Sequence, residues 1–273
     1  MNIFEQLGAM FSYRFMVNAF AAGALVAVCA ALLGITLVLK RYSMMGDGLS
    51  HVGYGAMSLA LALGWSPLYV SLPAVTLAAA LLLRMGERQK RGDAVIAMIS
   101  SGALAFGVIV TTLSGGMNID VYQFMFGSIL ALSPDETLLC ILLSVAVLAL
   151  YLIFYRPIFS ATFDEDFAKA AGLKTGQVKT IIAVLTALTI VVGMRMMGAL
   201  LIASLTIFPA LSAMCLCKSY RSVVVTAAAI ALCSFLFGMT GSYLLAIPAG
   251  PSVVAANALA YGICQLIRKL SRR

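Results

Sequence analysis

Asp47 and His51 are the residues whose types and spacing best support chemistry, and His51 is the only histidine among 273 residues. On a helix an i, i+4 pair shares one face, so a carboxylate oxygen and an imidazole nitrogen can converge on one point. At about 100° per residue, Tyr54 and Ser58 fall on the same narrow arc. Ser50, inside the same stretch, joins Tyr54 and Ser58 as a residue expected to line any path along that stripe. Three roles fit the pair: a hydrogen bond that satisfies both side chains, a proton relay in an ion-coupled carrier, or a transit site for a divalent metal. For the last, carboxylate and neutral imidazole are both ligands of divalent transition metals. Two ligands bind weakly, which suits an ion that must leave as well as enter.

The surroundings of the pair are apolar. AVILMFWYC residues make up 63% of the chain and DEKR residues 10%, against roughly 45–50% and about 25% in average soluble chains. With a mean hydropathy of +1.06, this excludes a soluble globular protein, a disordered chain and a nucleic-acid binder. The chain reads as an all-α, polytopic membrane protein with a single transmembrane permease domain over residues 1–273. At depth in a bilayer, an ionisable side chain costs on the order of 2.5–3.5 kcal/mol and normally faces a bundle interior or a wet cavity. A second helix starting near Tyr42 would place Asp47 and His51 roughly 7 and 13 Å from its inner end. The six cysteines, Cys29, Cys140, Cys215, Cys217, Cys233 and Cys264, lie in apolar runs without paired spacing and read as small packing residues.

A helix needs about 20 mostly apolar residues to span the hydrocarbon. Nine segments qualify: 15–39, 42–64, 67–84, 93–114, 135–155, 177–194, 197–217, 221–246 and 251–269. The sixth and seventh are separated only by Arg195 and its neighbours. With the N-terminus outside, 16 of the 18 Lys and Arg residues fall on inside loops or ends, and only Arg14 and Arg195 fall outside. Such an asymmetry is what the positive-inside rule requires, and it places the C-terminus in the cytoplasm. The net charge of +8 then follows from orientation and lipid headgroups. Residues 1–14 lack the basic start of a cleavable leader, so the first helix is expected to stay in the protein. Residues 115–134, apolar but bearing Asp120, are expected to re-enter the membrane or cover a cavity mouth. Pro209 and the Pro248–Pro251 turn are expected to mark helix breaks of the kind that transporters place near their pathways.

The chain has no phosphate-binding G-x-x-x-x-G-K-[ST], no H-E-x-x-H and no G-x-S-x-G, so nucleotide hydrolysis, proteolysis and ester hydrolysis lack their tools. It is read as a transport subunit, with no enzymatic activity and no resident cofactor. The longest inside loop holds Asp164, Glu165 and Asp166 where a short helix would begin, matching its dipole. Ala168, Ala170 and Ala171 favour helix, and Gly172 stops it. Phe163, Phe167 and Leu173 give that helix an apolar side suited to a partner's groove.

Six motifs in order then resemble the permease subunits of bacterial ABC importers for zinc, manganese and iron. They are Gly46-Asp-Gly-Leu-Ser-His51, Lys90-Arg-Gly-Asp93, Phe126-Gly-Ser-Ile-Leu130, the acid-Phe-Ala loop ending at Gly172, Gly198-Ala-Leu-Leu-Ile-Ala203 with Pro209-Ala210, and Ile247-Pro-Ala-Gly-Pro251. The resemblance implies a homodimer in a prokaryotic plasma membrane, seated on two cytoplasmic ATP-binding subunits and fed by an extracytoplasmic metal-binding solute protein. By the same resemblance Asp47 and His51 would be pathway metal ligands, with the metal as cargo. Asp164, Glu165, Asp166, Phe167, Ala168 and Gly172 would form the ATPase-coupling segment. Where members often carry proline after the histidine, this chain reads Val52-Gly53-Tyr54-Gly55. The rival is a self-contained secondary transporter passing protons through Asp47 and His51, for which no second buried acid or inverted repeat is visible.

Overall fold

The computed structural model describes residues 12–89, 92–114 and 134–271, together with Glu5, Gly8, Met10 and Gly127. Among the described residues nine long helices coincide with the nine expected segments: α1 (Arg14–Leu39), α2 (Met45–Ala62), α3 (Pro67–Gln89), α4 (Gly92–Leu113), α5 (Pro134–Ile153), α8 (Thr175–Met197), α9 (Ala199–Leu216), α10 (Tyr220–Leu245) and α11 (Ala249–Ser271). Two short helices, α6 (Tyr155–Phe163) and α7 (Glu165–Ala170), stand between α5 and α8. No strand occurs among the described residues. By length and apolarity seven of the helices can cross a membrane, α2 and α3 being the two long ones outside that set. The expected re-entrant segment 115–134 with Asp120 lies outside the described residues except for Gly127 and Pro134, as do Lys90, Arg91 and the last two arginines.

Local chemistry sets the helix ends. Proline opens α3 and α5, where its missing N–H costs nothing. Ser219 caps α10 by accepting from Ser222 N–H (3.3 Å), and Ala246 closes that helix in the left-handed region before Pro248. At the end of α1, Tyr42 N–H donates to the Leu37 carbonyl (2.8 Å) and Arg41 N–H to that of Val38 (3.1 Å). Arg41 itself sits at φ 61°, a place more often given to glycine.

Helices α1 and α8 form the centre, each buried over most of its length. Helix α1 packs against α5, α8, α9 and α10, and α8 against α1, α3 and α5. The α9–α10–α11 group covers one side, and α2–α3–α4 the other. Two features differ from expectation. Helix α9 runs unbroken through Pro209, and the break falls instead at Gly198, between α8 and α9. The inner loop carries two short helices rather than one, because Pro157 is tolerated in the first turn of α6.

Glycine sets the closest approaches. A Cβ on Gly34 of α1 would collide with the Thr206 carbonyl of α9, and a backbone atom cannot swing aside. Gly34→Ala is therefore expected to destabilise the detergent-solubilised protein by about 1–3 kcal/mol. Gly262→Ala, where nothing lies within 4 Å, should be neutral or stabilising. Thermal unfolding of the two variants beside wild type checks the contrast.

Candidate functional site

Helix α2 carries four glycines that let its neighbours close on it. A Cβ on Gly46 would meet Thr206 Oγ1 (2.8 Å) and Ala203 Cα of α9. On Gly53 it would meet Met194 of α8 and Val75 of α3. Gly48 and Gly55 face the other way, against Ile96 and the Ala103 carbonyl of α4. At about 100° per residue these two glycine pairs lie about 80–120° to either side of Asp47. The stripe that starts at Asp47 thus runs between α4 on one flank and α8 and α9 on the other.

The start of α2 corrects the expected depth. The helix begins at Met45, which puts Asp47 in its first turn, about 3 Å along its axis, and His51 about 9 Å along. Because Gly46 touches Ala203 and Thr206, that first turn still sits at the middle of α9, about 15 Å from its far end. The depth comes from where α2 starts, not from how far along it the pair lies. In the first turn Asp47 also faces the positive end of the helix dipole.

Asp47 Oδ1 and His51 Nε2 are 3.7 Å apart, beyond hydrogen-bond distance. The pair therefore does not satisfy itself. The side chain of Asp47 is 42% exposed and that of His51 15%, and His51 Nδ1 is buried without a hydrogen-bond partner among the described residues. One metal ion bonded to both atoms at ordinary zinc distances and a tetrahedral angle would hold them about 3.4 Å apart, so the gap is close to ligand spacing. Among the described residues no cluster of three or more His, Cys, Asp or Glu side chains could complete such a shell.

The rest of the stripe is closed. Tyr54 is fully buried with Met194 and Ala199, partly buried Met57 and Leu104 packing against them. The edge of its ring lies where a Cβ on Gly107 would be. Ser58 is also fully buried and accepts from Thr111 Oγ1 (3.2 Å). Ser50 donates back to the Gly46 carbonyl (2.8 Å), so its hydroxyl is spent on its own helix. Tyr54 thus stops the stripe one turn beyond His51, against residues on both sides of the Gly198 break.

That break has its own geometry. Gly198 adopts φ 85°, ψ 160°, a region essentially reserved for glycine. Gly127, at φ 72°, lies so close to Met197 and Gly198 that a Cβ would strike their backbone. Nearby in sequence, Arg195 donates to Glu136 Oε1 (2.5 Å), tying the end of α8 to the start of α5. The hydropathy profile marked Arg195 only as a separator; its partner lies 59 residues away.

Residues 164–172, the segment expected to couple to an ATPase, divide into two faces. Asp164 accepts from Phe167 N–H (2.9 Å) and caps α7. Gly172 at φ 84° ends it, with Leu173 N–H donating to the Ala168 carbonyl (3.0 Å) and Gly172 N–H to that of Lys169 (3.0 Å). Asp166 is 98% exposed and Phe167 69%, whereas Ala168 is fully buried and Glu165 is turned inward, 20% exposed.

The sequence matches the ABC 3 transport family over residues 12–268. The chain belongs to that family. Among relatives of this ABC 3 chain, the high-affinity zinc uptake system membrane protein ZnuB of Haemophilus influenzae is 28% identical over 251 residues, covering 91% of this chain and 96% of the relative. The manganese import system permease protein ScaB of Streptococcus gordonii is 26% identical over 258 residues, covering 94% and 92%. Among solved structures, PsaBC from Streptococcus pneumoniae in complex with Fab superposes with a TM-score of 0.86 at 26% identity, over 99% of this chain and 100% of that one. The resemblance to metal-ion ABC permeases therefore holds along nearly the whole ABC 3 chain, which is a multi-pass membrane protein. A self-contained proton-coupled carrier gains nothing from these relatives.

Gly198→Ala forces an L side chain into the glycine-only region at the α8–α9 joint, so it is expected to destabilise the protein by about 1–3 kcal/mol. Gly176→Ala, in open space near the other end of α8, should not. Thermal unfolding of purified protein compares the two.

Proposed function

We propose that this chain is the permease subunit of an ABC importer that moves a divalent transition metal (zinc, manganese or iron) into a prokaryotic cell across the plasma membrane. The observation that carries the proposal is the Asp47–His51 pair, level with the middle of α9, at ligand spacing but not hydrogen-bonded to each other. Family membership and the zinc and manganese systems named among the relatives support it. In this account all nine long helices span the membrane, with the α7 end and the C-terminus in the cytoplasm.

The metal meets Asp47 carboxylate and His51 imidazole, one oxygen and one nitrogen per chain. Water and a second copy of the chain complete the shell. Helix α4 is suited to meet that copy: its Ala103 and Gly107 serve α2, while Ser101, Gly102 and Ala105 remain exposed, and small residues let helices approach closely. Tyr54, packed on Met194 and Ala199, shuts the pathway on the outer side of the pair, and its displacement opens the site to an extracytoplasmic binding protein. Two cytoplasmic ATP-binding subunits drive the alternation, gripping Phe163, Asp166 and Phe167 on the exposed face of the α6–α7 corner.

The expected outcome of the decisive experiment is specific. Vesicles holding this chain with its ATPase and binding protein should take up radioactive zinc or manganese when ATP is supplied. Asp47→Ala and His51→Ala should each cut uptake at least tenfold without loss of expression or assembly. Normal uptake by both variants would make the pair structural and sink the proposed site.

A further inference from the structure

Glu165 stands out on α7 because three lysines converge on it. Its Oε1 accepts from Lys179 Nζ (2.5 Å) and lies 2.8 Å from Lys169 Nζ, and its Oε2 accepts from Lys40 Nζ (3.5 Å). Lys40 and Lys179 are largely buried, their side chains 14% and 12% exposed. Buried ammonium groups are retained only when paired. One carboxylate therefore holds three like charges together, and two of them belong to other helices.

Those two lysines lie at significant places. Lys40 caps α1 and is followed by Arg41 in the left-handed conformation, so the turn into α2, which carries Asp47 and His51, begins at a residue Glu165 holds. Lys179 is on α8, whose other end presents Met194 to Gly53 and the Tyr54 cluster and terminates at Gly198. Ala168, fully buried, seats α7 on the bundle beside these contacts, while Phe167 and Asp166 point away.

We infer that Glu165 is a positioning residue and not a docking one: it is the joint through which displacement of α7 reaches both the α1–α2 turn and α8. This rests on the proposed ATP-driven transport and adds how the motion passes within the chain. A docked subunit moves α7 by its exposed face. The Glu165–Lys40 contact draws the start of α2, and the Glu165–Lys179 contact draws α8 and, with it, the packing around Tyr54.

The test uses the complex of this chain with its ATPase in proteoliposomes. Glu165→Gln keeps the shape of the side chain and removes the charge that binds the lysines. The chains should still co-purify, while metal taken up per ATP hydrolysed should fall at least tenfold. Phe167→Ala, on the exposed face, should instead weaken co-purification. An unchanged ratio in Glu165→Gln, or loss of co-purification with the ATPase in a properly folded Glu165→Gln chain, would overturn the inference. If Glu165→Gln does not accumulate, Lys40→Gln, which cuts only the contact to α1, should lower the same ratio, and a wild-type ratio there would also overturn it. A second readout needs no metal. In hydrogen-exchange mass spectrometry, adding a non-hydrolysable nucleotide should change protection of α7 and of residues 40–44 together in wild type, and of α7 alone in Glu165→Gln. Independent behaviour of the two segments in wild type would defeat the joint. Failure of wild type to carry zinc, manganese or iron would defeat the proposed function and leave this readout to decide the joint.

Discussion

Gly46, Gly48, Gly53 and Gly55 allow helices to close on α2 from two sides, and the placement of Asp47 and His51 depends on that closeness. With side chains at these positions, α9 could not meet the first turn of α2 at its own midpoint, and α4 could not bring Gly107 onto the Tyr54 ring. The polar stripe would then open to lipid along its length. Instead, α4 walls one flank, α8 and α9 wall the other, and access to the stripe is concentrated at its Asp47 end. Helix packing through small residues is the usual way to bring backbones together where no hydrophobic force favours one apolar neighbour over another.

The charged groups obey a second constraint. In a low-dielectric setting an unpaired ion is expensive, and both ends of α8 carry paired ions: Arg195 with Glu136 at one end, and Lys179, Lys40 and Lys169 with Glu165 at the other. Asp47 and His51 are arranged differently. They lie level with the middle of α9, 3.7 Å apart, with His51 Nδ1 buried and unpartnered among the described residues. A side-chain pair kept for stability alone would be expected to close that distance, because the hydrogen bond would remove part of the cost of burying both groups. The geometry keeps the two groups near each other but available.

Much of this was legible in the sequence because its signals are local. Apolar runs bounded by charges or by Gly and Pro mark the nine long helices among the described residues, since desolvating a charge or breaking the backbone pattern sets the ends of a span. Asp164 and Gly172 mark α7 because a cap and a left-handed stop are single-residue properties. The Asp47–His51 pair was visible from spacing alone. What was not legible depends on residues distant in sequence. Pro209 is a stronger breaker on paper than Gly198, yet α9 continues through it, and only the packing of Gly127 on Met197 and Gly198 distinguishes the real joint. The expected depth of Asp47 rests on a helix start near Tyr42, whereas the helix starts at Met45 and its level is marked by the contact of Gly46 with α9. Glu165 read as one of three equivalent acids at a helix start. Its inward turn depends on Lys40, 125 residues earlier in the chain, which no local pattern announces.

The short length of α7 ties these constraints together. A helix of six residues has too few internal hydrogen bonds to offset its nucleation cost in water, so its shape must be held from outside. Asp164 and Gly172 fix its two ends, and buried Ala168 with the Glu165 contacts fixes its inner face. Phe167 stays exposed, and Phe163 keeps an exposed face although its ring meets those of Phe159 and Tyr220. A segment clamped on one side and bare on the other has its shape maintained by the bundle whether or not a partner is present. Any push on the bare side must then be borne by the clamp, and the lysines through which that clamp reaches beyond α7 belong to α1 and α8, the two helices on which the rest of the bundle is packed.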